Sequence, residues 1–254
     1  MSVTSKTVGQ MVREFHEKFG QPRPPRPTVL SGEMLHFRLR FLEEEQEEAD
    51  FAFRDADLPN LFDALIDQSY VWLGTLDLAG INHDELGPIS PNNMLAAMQE
   101  NNLHRVARLF SVDMPPPALP VSHDQVMMTR AAMHQQKELL AAYYHQAITG
   151  NILGTAVVAA TALIGLETIA HSLKLPFMDG FVEVHNSNMR KRRATRPDES
   201  KRGTAFDVIK PEGWRPPNLI DILYHYGWVG QGVLNLMESS AGVQINASTV
   251  KSSV

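Results

Sequence analysis

Two long stretches of helical hydrophobic spacing, separated by only a few residues, constrain this chain more than any other feature. The apolar positions predict one helix from about Ser31 to Asp55 and another from about Leu58 to Ala79. Between them, "RDADLP" supplies aspartates for an N-cap and Pro59 for a first helical turn. So short a connection returns the second helix as an antiparallel neighbour of the first.

Other segments follow the same rule. "TVGQMVREFHEKFG" (7–20) carries Val8, Met11, Val12, Phe15 and Phe19 at helical spacing, and Gly20 with "QPRPPRP" ends it in a stiff linker. After the turn-rich "GINHDELGPISPNN" come a short helix near 93–110 and the proline loop "DMPPPALP". Ser122 caps a helix reaching about Thr149, Gly150 and Asn151 break it, and a further helix runs from about Ile152 to Leu173. From "FVEVHNSNMRKRR" onward the chain reads as short elements and loops, with a frayed end. Period-two alternation is nearly absent, so the expected class is all-α: a helical bundle with a loop-rich C-terminal tail.

Composition narrows the function. With no cysteine, disulfides, zinc–thiolate sites and thiol catalysis are excluded, and a reducing cytoplasm is the expected setting. A net charge of −6 argues against a general nucleic-acid binder. No signal peptide is visible in the first twenty residues. The most apolar run, "ILGTAVVAATALIGL" (152–166), is too short to span a bilayer and reads as a buried helix, so no membrane partner is expected. No zinc-motif spacing or Gly-rich phosphate loop occurs. His104, His134 and His145 read as surface or satisfied core residues, and Met127, Met128 and Met133 as core filler.

The chemistry concentrates in "RFLEEEQEEADFAF" (40–53). On a wheel advancing roughly 100° per residue, Phe41, Leu42, Ala49, Ala52 and Phe53 form one apolar stripe. Glu45 lies in its middle, with Glu48 at its edge beside Glu44, while Glu43, Glu47 and Asp50 point to solvent. A glutamate inside a buried stripe must be neutralised or paired. Pairing with Arg38 or Arg40 is one solution. The next helix favours another, because between Leu58 and Leu76 its only charges are Asp63 and Asp67, four apart on one face of an apolar helix. Carboxylates gathered from two adjacent helices repel unless cations lie between them. All-oxygen ligands suit hard divalent ions, Mg²⁺ or Mn²⁺, rather than zinc.

At this point the sequence resembles the all-α nucleoside triphosphate pyrophosphohydrolases, particularly the MazG-like enzymes of phages and bacteria. The likeness rests on "EEQEE" (44–48) followed by "DALIDQSYVWLGT" (63–75). It extends to "EFHEKFGQP" near the start, "FVEVHNSNMRK" (181–191) and "IKPEGWRPPNL" (209–219), covering roughly 7–81 and 160–220. Many members carry a glutamate where this chain has Ala64, with Asp63 one position earlier. Against that pattern, 1–254 forms a single domain and about 82–155 is a helical insertion. The resemblance implies cleavage of a (deoxy)nucleoside triphosphate between its α and β phosphates, giving a monophosphate and pyrophosphate and controlling a nucleotide pool. It implies two or more Mg²⁺ or Mn²⁺ ions per site and a dimeric or tetrameric homo-oligomer, in the cytoplasm of a bacterium or phage-infected host.

The residues carried over are Glu44, Glu45, Glu48 and Asp67 as catalytic acids, the same four with Asp63 as metal ligands, and Glu44 as either ligand or water-orienting base. His185, Asn188, Lys191, Lys210 and Tyr70 match nucleotide- or phosphate-contacting positions, with Arg192 and Arg193 left to solvent. Phe15 with Phe19, and Tyr70 with Trp72, read equally as base-stacking or core residues, and Trp214 as a loop closing over the site. The competing reading is a catalytically idle helical module that binds nucleotides or a partner.

Overall fold

Capping chemistry starts several of the helices where the sequence predicts. In the computed structural model, which describes residues 6–83 and 123–228, Thr7 and Gln10 form a reciprocal capping box at the head of α1 (Val8–Lys18). Helix α2 (Gly32–Arg54) ends in a tight reversal in which Ala56 takes a left-handed φ of 57° and the Asp57 amide donates to the Ala52 carbonyl. Asp57 then caps α3 (Leu58–Leu78) through the Asn60 amide, with proline in the first turn. Asn151 caps α5 (Ile152–Ser172) in the same way, directly after α4 (His123–Ile148). The expected helix near 93–110, His104 and the frayed C-terminal dozen lie outside the described residues.

Two antiparallel hairpins, α2/α3 and α4/α5, pack as an all-α bundle, α3 against α5 and α2 against α4. Helix α3 is the centre. Leu61, Phe62, Leu65, Ile66, Trp72 and Leu76 are all fully buried, so the helix is covered on nearly every side. Helix α5 is lined with Ala156, Ala159, Ala160 and Ala162, whose small side chains admit close neighbours. Gln136 of α4 donates to the Ala162 carbonyl at 3.0 Å. Helix α5 is longer than its most apolar run and, by length and composition, could cross a membrane; 61% of its apolar window is buried inside the bundle, as in a core helix.

The remaining side of α3 is covered by α1 and by α6 (Phe177–Asn188), the first of the short elements in the segment from Phe181 onward, which begins four residues earlier. Beyond it, a two-residue antiparallel pair, β1 (Arg192–Arg193) with β2 (Val208–Ile209), clasps the ends of a loop, and α7 (Leu219–His225) returns to α3 and α6. Trp72 stacks edge-on against Tyr143 of α4 and is a core residue. Of the three methionines read as core filler only Met133 is buried; Met127 and Met128 face outward on α4.

Charged groups lock α1 in place. Asp77, near the end of α3, accepts from His16 Nδ1 at 2.8 Å and pairs with Arg13 at 3.1 Å and Arg23 at 3.5 Å. Burial keeps His16 below its usual pKa, although Asp77 pulls the other way. Arg38 does not reach Glu45: it donates to Thr75 Oγ1 and the Val71 carbonyl of α3, crossing Gly74. Only a residue without a side chain leaves room there, since an added Cβ would stand 2.9 Å from Arg38 Nη2 and 3.0 Å from His16 Nε2.

Gly180 performs the same service where α6 meets α3. A Cβ at that position would stand 2.5 Å from Ile66 Cδ1 and 2.9 Å from Phe62 Cε2, both in the core. Gly180→Val is therefore expected to destabilise the fold by about 1–3 kcal/mol, the usual cost of overpacking, read as a lower urea midpoint at unchanged slope.

Candidate active site

The inward turn of α2 and the polar face of α3 meet in one acidic patch. Glu45 is buried on α2; Glu44 is half-buried and Glu48 exposed beside it. Asp63 and Asp67, one helical turn apart, are half-buried on α3. Burial, then Asp67, then Glu48 push the Glu45 carboxyl up to about 9. Burial and Asp67 push Asp63 up to about 7. Asp67 is raised by burial more than Lys191 lowers it. The carboxylates of the two helices thus share one field, which raises Glu45, Asp63 and Asp67 together.

Cations close the patch from the C-terminal segment. Lys191 and Lys210 flank the clasp of β1 and β2, and both act on Asp63 and Asp67. Their ammonium groups lie over the Trp214 ring, 5.6 and 4.5 Å from its centre, and the indole N–H of Trp214 donates to the Ser187 carbonyl. Burial lowers Lys191 against the pull of Asp67. Trp214 therefore contacts both of the lysines that the sequence assigns to phosphate.

A third cation was not legible in the sequence. Arg202 Nη2 lies 2.5 Å from Glu44 Oε2 and 3.9 Å from Glu45 Oε1, Lys201 stands 3.4 Å from Glu44, and Arg202 Nη1 pairs with Asp207 at 3.1 Å. The loop around Arg202, "SKRGTAFD", reads as an ordinary polar surface turn. Only the spacing of an arginine and an aspartate within one tight loop hinted at a buried pair.

Other assigned residues lie behind this patch. Tyr70 is buried, stacks on Phe181, meets Phe15 edge-on and shares a hydrogen bond of 3.0 Å with His185 Nδ1. His185 is buried too, and its Nε2 lies 3.5 Å from Glu14; burial lowers its pKa. Asn188 is buried at the end of α6. Phe15 and Phe19 join this aromatic cluster, with ring centres 4.7 Å apart.

Two charge assignments are corrected. Asp50 does not simply face solvent, because it pairs with Lys137 of α4 at 2.5 Å and accepts from Gln46. Arg193 is likewise engaged, donating to the Phe19 and Gly20 carbonyls and tying the tail to the end of α1, whereas Arg192 is exposed as expected and forks onto Glu199 at the surface.

The chemistry of the patch suits a divalent ion. Its donors are all carboxylate oxygens, and Glu45 Oε2 and Asp63 Oδ1 are buried without a hydrogen-bond partner. Such a set fits a hard cation. Among the described residues no three carboxylate or histidine side chains converge into a closed cage, so the donors would have to draw together around an ion.

Comparison with known proteins bears on the same helices. Residues 12–87 match the phosphoribosyl-ATP pyrophosphohydrolase family, an all-α group of the nucleoside triphosphate pyrophosphohydrolase kind related to the MazG-like enzymes. No significant match is found among curated proteins or among solved structures. The matched stretch holds most of α1 and all of α2 and α3, hence every carboxylate of the patch but none of its lysines. It points to pyrophosphohydrolase-type activity on nucleotides.

The pH dependence of stability has a definite sign. A carboxyl raised on folding contributes stability fully below its unfolded pKa, and loses it as pH rises through the folded value. For Glu45 that window runs from the ordinary glutamate range to about 9. In metal-free buffer at pH 8, Glu45→Gln is expected to gain on the order of 1–3 kcal/mol over the parent, and to lose that advantage near pH 4. Urea unfolding at both pH values checks it.

Proposed function

We propose that the protein is a divalent-metal-dependent pyrophosphohydrolase that cleaves a (deoxy)nucleoside triphosphate between its α and β phosphates. The observation that carries this reading is the pairing of Glu45 and Glu48 on one helix with Asp63 and Asp67 on the next, faced by Lys191 and Lys210. A polyphosphate is the ligand whose charge both sides can use: its oxygens accept from the lysines, while cations held by the carboxylates screen it from the acids. The similarity of residues 12–87 to a pyrophosphohydrolase family supports the same bond.

Glu45, Glu48, Asp63 and Asp67 would hold the Mg²⁺ or Mn²⁺ ions. When bound, such ions polarise phosphoryl oxygens and make water a better nucleophile at neutral pH. Lys191 and Lys210 bind and orient the phosphate chain, and Trp214 keeps the two ammonium groups together. Water attacks the α-phosphorus, the bond to the bridging oxygen breaks, and pyrophosphate leaves. The proton of the attacking water passes to solvent on the open side of the patch, where Glu48 is exposed. Tyr70 and His185 brace α3 against α6 behind the site.

The idle-module alternative fares worse on one point. A chain with no use for a cation would bury Glu45 Oε2 and Asp63 Oδ1 unpaired for nothing, at a cost of a kind that partnerless buried polar groups always carry.

Incubation with each nucleoside triphosphate, each deoxynucleoside triphosphate and phosphoribosyl-ATP, with Mg²⁺ or Mn²⁺, tests the proposal. Release of monophosphate-type product together with pyrophosphate is expected for at least one of them. Glu48→Gln and Asp67→Asn should each lower kcat at least about 100-fold, the scale of losing a group that stabilises transition-state charge. Turnover at the parent rate in both variants would remove the metal assignment, and no cleavage of any triphosphate would favour the binding module.

A further inference from the structure

Arg202 is built into the acidic patch more firmly than a surface arginine. Its side chain is only 7% exposed, and its guanidinium lies 3.7 Å from the centre of the Phe41 ring on α2. Asp207 grips it with both oxygens, at 3.1 and 3.3 Å. Asp207 is itself fixed, accepting from Ser200 Oγ at 2.7 Å and from the Val208 amide at 2.9 Å, while the Arg202 amide donates to Ser200 Oγ. The Ala194 amide donates to the Asp207 carbonyl, so the loop is closed at its base by β1 and β2.

Held so, the guanidinium directs Nη2 at Glu44 and Glu45 and leaves its Nε without a hydrogen-bond partner. Asp207 balances part of its charge, and Glu44 takes most of the rest. Glu45 receives only a distant contact through Oε1, and its Oε2 stays unpartnered. At the end where Glu44 stands the patch therefore contains one buried guanidinium held in place by Asp207, with the exposed Lys201 beside it. At the other end Lys191 and Lys210 act on both Asp63 and Asp67, and Arg202 reaches Asp67 only as a weaker influence.

We propose that Arg202 is a tethered counter-ion: a positioning residue that holds Glu44, supplies one of the positive charges the acidic patch requires, and thereby sets how strongly that patch takes up divalent cations. Glu44 is then the anchor of the guanidinium, while Glu45, Glu48, Asp63 and Asp67 remain for metal. The inference rests on the proposed metal-dependent function and adds a residue to it. A fixed cation beside the carboxylates repels an incoming ion, so affinity is kept lower than the acids alone would give. Removing a plain structural clamp would do the reverse, by letting the ligands scatter.

Mn²⁺ titration of the full-length chain without nucleotide, followed by the electron paramagnetic resonance of free Mn²⁺, separates these cases. Arg202→Gln should bind Mn²⁺ at least about tenfold more tightly than the parent, as expected when a like charge a few ångströms from the ion is removed. Arg202→Lys, which keeps the charge, should stay close to the parent. In the Glu44→Gln background, where the half-buried Glu44 carboxylate no longer needs a partner, Arg202→Gln should again tighten binding relative to Glu44→Gln alone; this comparison serves if the single variant does not fold. Unchanged or weaker Mn²⁺ binding on losing Arg202 overturns the inference. If the parent and all variants bind no Mn²⁺ and hydrolyse no triphosphate, the functional reading itself has failed; if the parent binds Mn²⁺ and Arg202→Gln matches it, only the role of Arg202 has.

Discussion

The rest of the structure depends on one conflict, in which a helix buried on nearly every side carries two aspartates, Asp63 and Asp67, along its middle besides Asp77 near its end. Helix α3 cannot expose the half-buried Asp63 and Asp67 any further by turning, because the same turn would bring Phe62, Ile66 or Trp72 to water. The acids must instead be answered where they stand. Helix α2 answers with more acid, which only a cation can reconcile. The C-terminal segment answers with lysines and an arginine. Around that line the other helices have conventional tasks: α5 fills the far side of α3 with alanines, and α1 is fastened near its end through Asp77.

Much of this is legible in the sequence. The hairpin of α2 and α3 followed from two periodic stretches and a short polar link, and its aspartate cap and first-turn proline are present. The inward direction of Glu45 followed from its place within an apolar stripe, and Glu45 is buried. These are local inferences, in which a residue's neighbours within one or two turns decide its environment.

What was not legible is long-range. Nothing within α2 says that Lys137, almost ninety positions on, would claim Asp50, or that the partner of Glu44 and Glu45 would be Arg202 rather than an arginine of their own helix. Both Arg38 and Arg202 approach Phe41, so a nearby arginine was present but had been drawn away by the carbonyl of Val71 and the hydroxyl of Thr75. The reversal at Ala56 was hidden for another reason. Alanine seldom takes a positive φ, so no glycine marked the turn, and it is held by the backbone bonds of the helix end.

The clasp of β1 with β2 has a consequence for how the protein divides. The segment it closes brings Lys191, Arg202 and Lys210 to the acids, yet it begins about a hundred residues beyond the end of the family match. A boundary drawn at the end of that match would leave a polypeptide with all the negative charge of the site and none of the positive. Such a fragment would be a different electrostatic object from the parent, with an acidic face and no basic counterpart. The unit that inheritance of sequence marks out and the unit that is electrically complete are, in this protein, not the same length of chain.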